Sequence, residues 1–348
     1  MSGKSKIVVA MSGGVDSSVA AHLLLEQGHE ACGVYMWRGS RDDAAAREEE
    51  SRDARLVAER LGIPLEVLDL EAEFGGLIEY FCNEYSAGRT PNPCVMCNRR
   101  VKFDSVLKLA DRIGAGSIAT GHYARIDRAG GRWLLKRGVD RTKDQSYVLS
   151  YLSQQQLARA IFPNGDHTKQ EIRRVAAELK LPVHDKPESQ DICFIPDGDY
   201  GRFLREYSGR ADEPGPVVDT EGNVVGEHPG VRHFTVGQRH GIGIAFGRPM
   251  YVVRLDAAAN TVVMGQNDAL LRGELTVSAI NWIVERPSEP LRAEVKIRYN
   301  QREVPATVHP LPGEAARIVL DRPVRAVTPG QAAVAYQGDT VLCGGWID

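Results

Sequence analysis

One stretch near the start limits what this chain can become: Lys6-Ile7-Val8-Val9-Ala10-Met11-Ser12-Gly13-Gly14-Val15-Asp16-Ser17-Ser18. A β-branched run ends in two glycines and opens into an amphipathic helical pattern that reaches Gln27 and is closed by Gly28. That order predicts strand, tight turn and helix. Gly13 and Gly14 let the backbone turn sharply and come close to a ligand. Ser12, Ser17 and Ser18 supply hydroxyls, and the first N–H groups of a helix have no partner within it, so the turn reads as an anion site. A plain strand-to-helix turn with a serine cap is the blander alternative. The turn lacks the Gly-Lys-Ser/Thr ending of a Walker A loop, which disfavours the usual nucleotide-hydrolase reading.

Strand and helix patterns go on alternating to about Leu181, with apolar runs at Ala31 to Trp37 and Pro64 to Leu70. This predicts a doubly wound parallel sheet with helices on both faces, its ligand at the C-terminal strand ends. Arg38 to Arg60 is dense in charge and alanine, with Glu48/Arg52 and Arg55/Glu59 four apart, the pattern of a solvent-facing helix. Past about Gly209 helical periodicity fades and Gly, Pro and Val rise. Short alternating segments follow at 249–255, 261–264, 275–284, 291–299, 315–320 and 332–336, which read as small antiparallel β structure closing into a barrel. The expected organisation is α/β over 1–208, a β-rich central domain over 209–268 and a C-terminal β-barrel over 269–348. A chain of 348 residues has room for two or three domains.

No apolar run approaches the length of a membrane span, and the N-terminus carries no signal-peptide pattern. Six cysteines without a secretory context read as cytosolic thiols, redox centres or metal ligands. A net charge of −3 argues weakly against a nucleic-acid partner.

Thr90-Pro91-Asn92-Pro93-Cys94-Val95-Met96-Cys97-Asn98 is the second informative stretch. Prolines on both sides of Asn92 favour a rigid, extended turn. Cys94 and Cys97 form a C-x-x-C pair followed by Arg99, Arg100 and Lys102, and nearby cations with a helix N-terminus lower a thiol pKa. Zinc, an iron–sulfur cluster, a redox pair and chance all remain open at this point; without a second C-x-x-C, a four-cysteine zinc site is disfavoured. Ser117 to Ala124 reads as another strand ending in a glycine loop, which carries Gly121 and His122. A hairpin pattern at Trp133 to Arg137 precedes Lys143-Asp144-Gln145-Ser146-Tyr147, by itself a solvated turn. Glu188 to Pro196 sets Cys193 in an apolar, strand-like run, where a cysteine is ordinarily inert packing.

The Ser12-Gly13-Gly14-Val15-Asp16-Ser17-Ser18 turn resembles the pyrophosphate loop of the ATP pyrophosphatases, which cleave ATP between the α and β phosphates and adenylate a substrate. Taken in order with Thr90 to Asn98, Ala119-Thr120-Gly121-His122-Tyr123, Lys143 to Tyr147, Ile192-Cys193-Phe194 and Thr235-x-Gly237-Gln238-Arg239, it resembles the bacterial tRNA-specific 2-thiouridylases. The resemblance extends over nearly the whole chain. It implies an adenine-nucleotide-hydrolase-like N-terminal fold and a cytoplasmic enzyme that thiolates the wobble uridine of tRNA through an adenylated intermediate.

The same resemblance assigns residues. Ala10, Met11, Ser12, Gly13, Gly14, Val15, Asp16 and Ser17 would hold the ATP phosphates, with Met36 and Gly121 beside the adenosine. Magnesium would neutralise the departing pyrophosphate. Cys193 matches the persulfide-carrying cysteine and Cys97 its nucleophilic partner, with a reversible Cys97–Cys193 disulfide formed in turnover. Asn92, Pro93 and Cys94 match the stretch that meets the target base. His122, Lys143, Asp144, Gln145, Arg298, Tyr299 and Gln331 match contacts to tRNA. The implied partners are tRNA and a persulfide sulfur-donor protein, either of a sulfur relay or a cysteine desulfurase, with no membrane. Many members carry Asp where this chain has Cys94, which admits an alternative mechanism: sulfide on a [4Fe–4S] cluster held by Cys94, Cys97 and Cys193. Two rival functions share parts of the pattern: a small-molecule synthetase or ligase built on the same loop, and a tRNA-binding protein that has lost catalysis.

Overall fold

A computed structural model describes residues 5–39, 44–187, 192–209 and 211–348. The chain opens with β1 (Lys6–Ala10), α1 (Val15–Glu26), β2 (Glu30–Trp37), α2 (Ala44–Leu61), β3 (Leu65–Asp69) and α3 (Glu71–Ser86). Next come α4 (Pro93–Met96), a π-helical segment (Cys97–Phe103), α5 (Asp104–Arg112) and β4 (Ser117–Thr120). A hairpin of β5 (Ala124–Ala129) and β6 (Arg132–Arg137) leads into α6 (Ser146–Leu149), α7 (Gln154–Arg159), β7 (Ala160–Ile161), α8 (Lys169–Glu178) and α9 (Tyr200–Ser208).

Five of these strands pair in parallel in the order β3-β2-β1-β4-β7. Alternate residues of β1 feed two cores, because successive side chains in a strand point to opposite faces. Val8 and Ala10 pack with Leu109 and Ile118, while Ile7 and Val9 pack with Val19, Leu24 and Val57. The strand is therefore apolar throughout, as a strand covered on both faces must be. β1 lies between β2 and β4, so the chain's direction of travel across the sheet reverses there. The crevice outside the C-terminal end of β1 is the switch point at which such sheets bind ligands.

Several details depart from the sequence reading. Helix α2 is not simply solvent-facing: Ala54, Val57 and Ala58 are buried against the sheet, and Arg55 pairs with Glu48 and Arg52 with Glu49 rather than at the expected four-residue spacings. The strict alternation fails at β5–β6, an antiparallel hairpin that leaves the parallel sheet and meets the last strand of the chain at Lys136–Thr340. The expected strand around Cys193 is a turn, closed by the Ile195 amide donating to the Ile192 carbonyl at 2.8 Å. Residues 188–191 of that stretch lie outside the described residues.

The central sheet holds β8 (Gly215–Val218), β9 (Val224–His228), β10 (Tyr251–Asp256) and β11 (Thr261–Gly265) in the order β10-β11-β8-β9. It is not wholly antiparallel, since β8 and β11 run parallel. The last strands are β12 (Leu271–Trp282), β13 (Leu291–Lys296), β14 (Val304–Leu311), β15 (Ala315–Arg325), β16 (Ala332–Gln337) and β17 (Thr340–Ile347). They run β12-β15-β14-β13-β16-β17, and β17 pairs back onto β12 to close a barrel. Its interior is filled by Val277, Val295, Ala306, Val308 and Ile318, so it is a packed core and not a channel. Strand β14 escaped the sequence reading because Pro305 and Pro310 interrupt its pattern, and β17 because Gly344 and Gly345 do.

Candidate active site

The turn after β1 is built to be rigid and to leave helix N–H groups for an anion. Gly13 has φ +69°, and a Cβ there would lie 2.9 Å from Cβ of Asp53. Gly14 caps α1 without a side-chain bond. The serines brace the turn from within: Ser17 Oγ accepts from the Ser12 amide at 3.1 Å, and Ser18 Oγ donates to the Gly14 carbonyl at 2.8 Å. Ser12 itself is exposed at the mouth. Gly121, just past the end of β4, presses on the first turn of α1: a Cβ there would stand 2.6 Å from the Ser17 amide nitrogen. The close approach of the two strand ends, which only glycine permits, is what forms the crevice.

Four residues without a role in the sequence reading brace the turn, three of them by holding Asp16. Lys169 Nζ donates to both carboxylate oxygens at 2.6 and 2.7 Å, and Tyr123 Oη donates to one at 2.6 Å. Asn164 Nδ2 bridges the Asp16 carbonyl at 2.9 Å and the Gly121 carbonyl at 3.1 Å, locking α1 to β4. Lys186 Nζ reaches over the turn to the Gly13 carbonyl at 3.1 Å and to Asp53 at 2.5 Å. Two ammonium groups thus flank the glycine turn, which makes the crevice a site for a polyanion. One signal for Lys169 was present in the sequence: Thr168-x-x-Glu171 is a capping box, and it does start α8 with Lys169 as its first residue. Lys186, Asn164 and Asp53 arrive from distant segments and carry no local signature.

The cysteines stand beside this crevice. Cys97 is buried in a cluster with Leu70, Phe74, Leu77, Met96 and Val101, against which Met36 at the end of β2 and Phe194 both pack. Two residues beyond Met36, Arg38 Nη1 donates to the Cys193 carbonyl at 2.8 Å, and its guanidinium also hydrogen-bonds the Cys193 side chain. The end of β2, the strand beside β1, therefore carries contacts to both the Cys97 cluster and Cys193, and the two thiols lie in one electrostatic neighbourhood. Cys94 and Cys193 are exposed, and all three thiols are free. The expectation of lowered thiol pKa values fails for the C-x-x-C pair: burial pushes Cys97 up to about 12, and Cys94, although its residue reaches the surface, is raised as well because the protein packed around its thiol desolvates it, the pull of Lys102 notwithstanding. The one-turn helix at Pro93–Met96 and the cations of 99–102 do not offset the cost of enclosing the charge.

The residues matched to tRNA lie mostly along the seam between the parallel-sheet unit and the barrel. Gln331 Nε2 donates to the Thr90 carbonyl at 2.9 Å, and Asn92 hydrogen-bonds Tyr147. Tyr299 Oη donates to the Asp144 carbonyl at 3.4 Å, and Arg298 Nη2 to the carbonyls of Val236 at 3.0 Å and Ala326 at 3.1 Å. Gln145 exchanges hydrogen bonds with the backbone of Tyr123, while Lys143 is half-buried beside it. Asp144 is no solvated turn residue: it is buried and accepts from the Gly138 and Ser146 amides at 3.1 Å each. His122 is buried too, with Nδ1 at 2.7 Å from Thr120 Oγ1, and burial holds its pKa well below the ordinary 6.5. In this conformation these two residues brace the site and face no solvent.

Three family models match in succession: a tRNA methyl transferase HUP domain over residues 5–197, a tRNA methyl transferase PRC-barrel domain over 201–266, and an aminomethyltransferase beta-barrel domain over 272–347. A protein of Geotalea uraniireducens named tRNA-specific 2-thiouridylase MnmA is 49% identical over 357 residues, covering 99% of this chain and 95% of that one. A protein of the same name from Syntrophotalea carbinolica is 50% identical over 344 residues, covering 98% of each chain. Another from Clostridioides difficile is 44% identical over 353 residues, covering 99% of this chain and 98% of its own. Among the described residues no helix is long and apolar enough to cross a membrane.

Proposed function

The chain belongs to the family of tRNA-specific 2-thiouridylases, and from that premise we propose that it replaces the C2 oxygen of the wobble uridine of tRNA with sulfur at the expense of ATP. The observation that carries this reading is the juxtaposition at the end of β2: Met36 packs on the Cys97 cluster and Arg38 grips Cys193, one strand away from the glycine turn. A site for an activating phosphate and a site for sulfur share one crevice.

A carbonyl oxygen is a poor leaving group. Attack of the uridine oxygen on the α-phosphate of ATP expels pyrophosphate and turns that oxygen into part of AMP. In the glycine turn, the first-turn N–H groups of α1 with Lys169 and Lys186 would receive the phosphates, and Met36 and Gly121 would line the nucleoside. Magnesium would enter as the nucleotide's own counter-ion; Asp16, the carboxylate of the turn, is already engaged by Lys169 and Tyr123, which leaves phosphate oxygens and water as its ligands.

Sulfur arrives as a persulfide on Cys193, transferred by a sulfur-donor protein. The Cys97 thiolate attacks the inner sulfur, forming the Cys97–Cys193 disulfide and releasing hydrosulfide. Hydrosulfide adds to C2 and AMP departs with the oxygen. A thiol reductant then restores the two cysteines. What supports the persulfide reading is the pair of thiols itself: Cys97 is enclosed by apolar neighbours, while Cys193 is exposed where a donor protein can reach it. The base must leave the anticodon stack to reach this crevice. The seam residues Asn92, Pro93, Lys143, Arg298, Tyr299 and Gln331 are placed to respond when RNA binds across both units. The domain division at 1–208, 209–268 and 269–348 and a cytoplasmic location complete the reading.

The test is incubation of the protein with ATP, magnesium, a persulfide donor and unmodified tRNA, followed by mercury-gel retardation. A retarded, thiolated tRNA formed only with ATP is the expected result. Thiolation of a small molecule, or none of the tRNA, overturns it.

A further inference from the structure

The Thr235–Arg239 turn takes no part in the chemistry above, yet the parallel-sheet unit, the central sheet and the barrel all meet at it. Thr90, two residues before Asn92, donates from Oγ1 to Thr235 Oγ1 at 3.4 Å, and Arg298 of the barrel donates to the Val236 carbonyl at 3.0 Å. The Gly237 amide donates to the Val252 carbonyl at 2.7 Å and the Val252 amide to the Gln238 carbonyl at 2.9 Å, which fixes the turn to β10. Beyond the turn the chain folds back over the central sheet. Ile242 and Met250 are buried in that sheet's core, and Ile244 and Phe246 pack against it. Ile244 fills the space over Gly226, where a Cβ would lie 2.3 Å from Ile244 Cδ1. The segment thereby forms a hollow of about 330 Å³, lined by these apolar side chains and by Arg239 and Arg248, both exposed.

From His228 to Leu255 the chain carries Arg232, Arg239, Arg248 and Arg254 and no Asp or Glu. Arg232 is held by Asp212 at 2.6 Å and Arg254 by Asp256 at 3.2 Å. Among the described residues nothing pairs with Arg239 or Arg248. Two free guanidinium groups beside an apolar floor call for a ligand that joins an anion to an apolar ring. A guanidinium matches the oxygens of a phosphate with parallel N–H donors. A base stacks on aromatic surface whatever its identity.

We propose that this hollow is a further RNA site: it takes one nucleotide of the tRNA other than the target uridine, with the phosphate at Arg239 and Arg248 and the base or ribose against Phe246 and its neighbours. The inference rests on the tRNA reading above. A tRNA is a polyanion long enough to engage the hollow and the crevice together. The chain's net charge is −3, so RNA must be held by local basic surface of this kind. The Thr235–Arg239 turn then links the grip to the segment that meets the base, through Thr90.

Binding of tRNA to the full chain, read by fluorescence anisotropy from about 50 to 200 mM KCl, tests this alongside steady-state thiolation. Arg239→Gln and Arg248→Gln should each lower the slope of log affinity against log salt by about one, and the double variant by about two, with binding roughly tenfold weaker. The loss should fall on KM for tRNA, leaving kcat at saturating tRNA and ATP affinity unchanged. Arg254→Gln removes the same charge from the same sheet and should leave the slope where it was. An unmoved slope in the double variant overturns the proposal, as does an equal loss in Arg254→Gln, which would mean general charge and not a site. Normal tRNA binding with slowed sulfur uptake from the donor protein also overturns it, and makes the hollow a protein-docking surface. A thermal melt shows whether the double variant folds; if it does not, the two single variants carry the comparison. Wild-type protein that binds tRNA without thiolating it would sink the proposed reaction alone, and the binding comparison would still decide the hollow.

Discussion

The glycine turn and the cysteine pair adjoin, yet they are prepared to different degrees. The turn is pre-organised: Asp16 is held by Lys169 and Tyr123, Asn164 bolts α1 to β4, and Lys186 crosses the mouth. The sulfur side is at rest, with Cys97 enclosed by apolar side chains and its thiol raised to about 12. The contrast has a chemical sense. A phosphate site does its work by fixed charge, so rigidity costs it nothing. A permanently ionised thiol would oxidise or react with the wrong partner, so keeping Cys97 protonated until substrate arrives protects it.

The largest expected effect separates the two halves completely. Cys97→Ser and Cys193→Ser should each lower tRNA thiolation by about a thousandfold or more, while ATP binding, measured by calorimetry, stays at wild-type strength. Full thiolation by either variant would break the division of labour. Loss of ATP affinity in both would show that the two sites are one mechanical unit.

The converse experiment strikes the nucleotide side. Gly121→Ala places a methyl group 2.6 Å from the Ser17 amide nitrogen, so the two strand ends must move apart. Overpacking of this kind costs about 1 to 3 kcal/mol. Because the strain falls on the crevice, ATP affinity should drop roughly tenfold, and Cys97 should keep its alkylation rate. Asp16→Asn is gentler on shape and harder on charge. It leaves the buried Lys169 without its carboxylate, a loss that approaches about 3 kcal/mol for a fully enclosed pair. The Asp16 side chain is 34% exposed, so water screens part of the loss. About 2 kcal/mol in chemical denaturation is the expected figure. No change in stability would mean that Lys169 is held by other groups.

Much of the nucleotide half was legible because its logic is local. Two glycines, three serines and an aspartate within seven residues announce a turn with helix N–H groups beyond it, and the apolar run before it announces a strand buried on both faces. The closed barrel was legible from alternation, apart from the strands broken by proline or glycine. What could not be read was assembled over distance. Lys186 reaches Gly13 from 173 positions away and Arg38 reaches Cys193 from 155, and neither has a neighbour in sequence that betrays its partner. The thiol pKa misled for the same reason: the cations near Cys97 are visible in the sequence, but Leu70, Phe74 and Leu77, which enclose it, come from the cap and the body of α3. The π-helix escaped because a seven-residue run is too short for a period of about 4.4 residues to be told from 3.6.

The smallest effect concerns His122, which stands where the two halves meet. It lies against Phe162, is hydrogen-bonded to Thr120 and sits in the field of Lys102, and burial and that charge both lower its pKa well below 6.5. The folded protein therefore binds fewer protons here than the unfolded chain once pH falls below 6.5. Stability owed to neutral His122 is complete above that value and is lost as pH descends from it, by at most about 1.4 kcal/mol per unit. Denaturation of the wild type between pH 7 and 5 should show a steeper loss than His122→Gln, with a difference of about 1 to 2 kcal/mol accumulated by pH 5. His228, also lowered, is present in both proteins and cancels. Equal slopes would mean that the imidazole can acquire a proton without leaving its place. His122 would then belong with the adaptable sulfur side of the crevice and not with the fixed phosphate side.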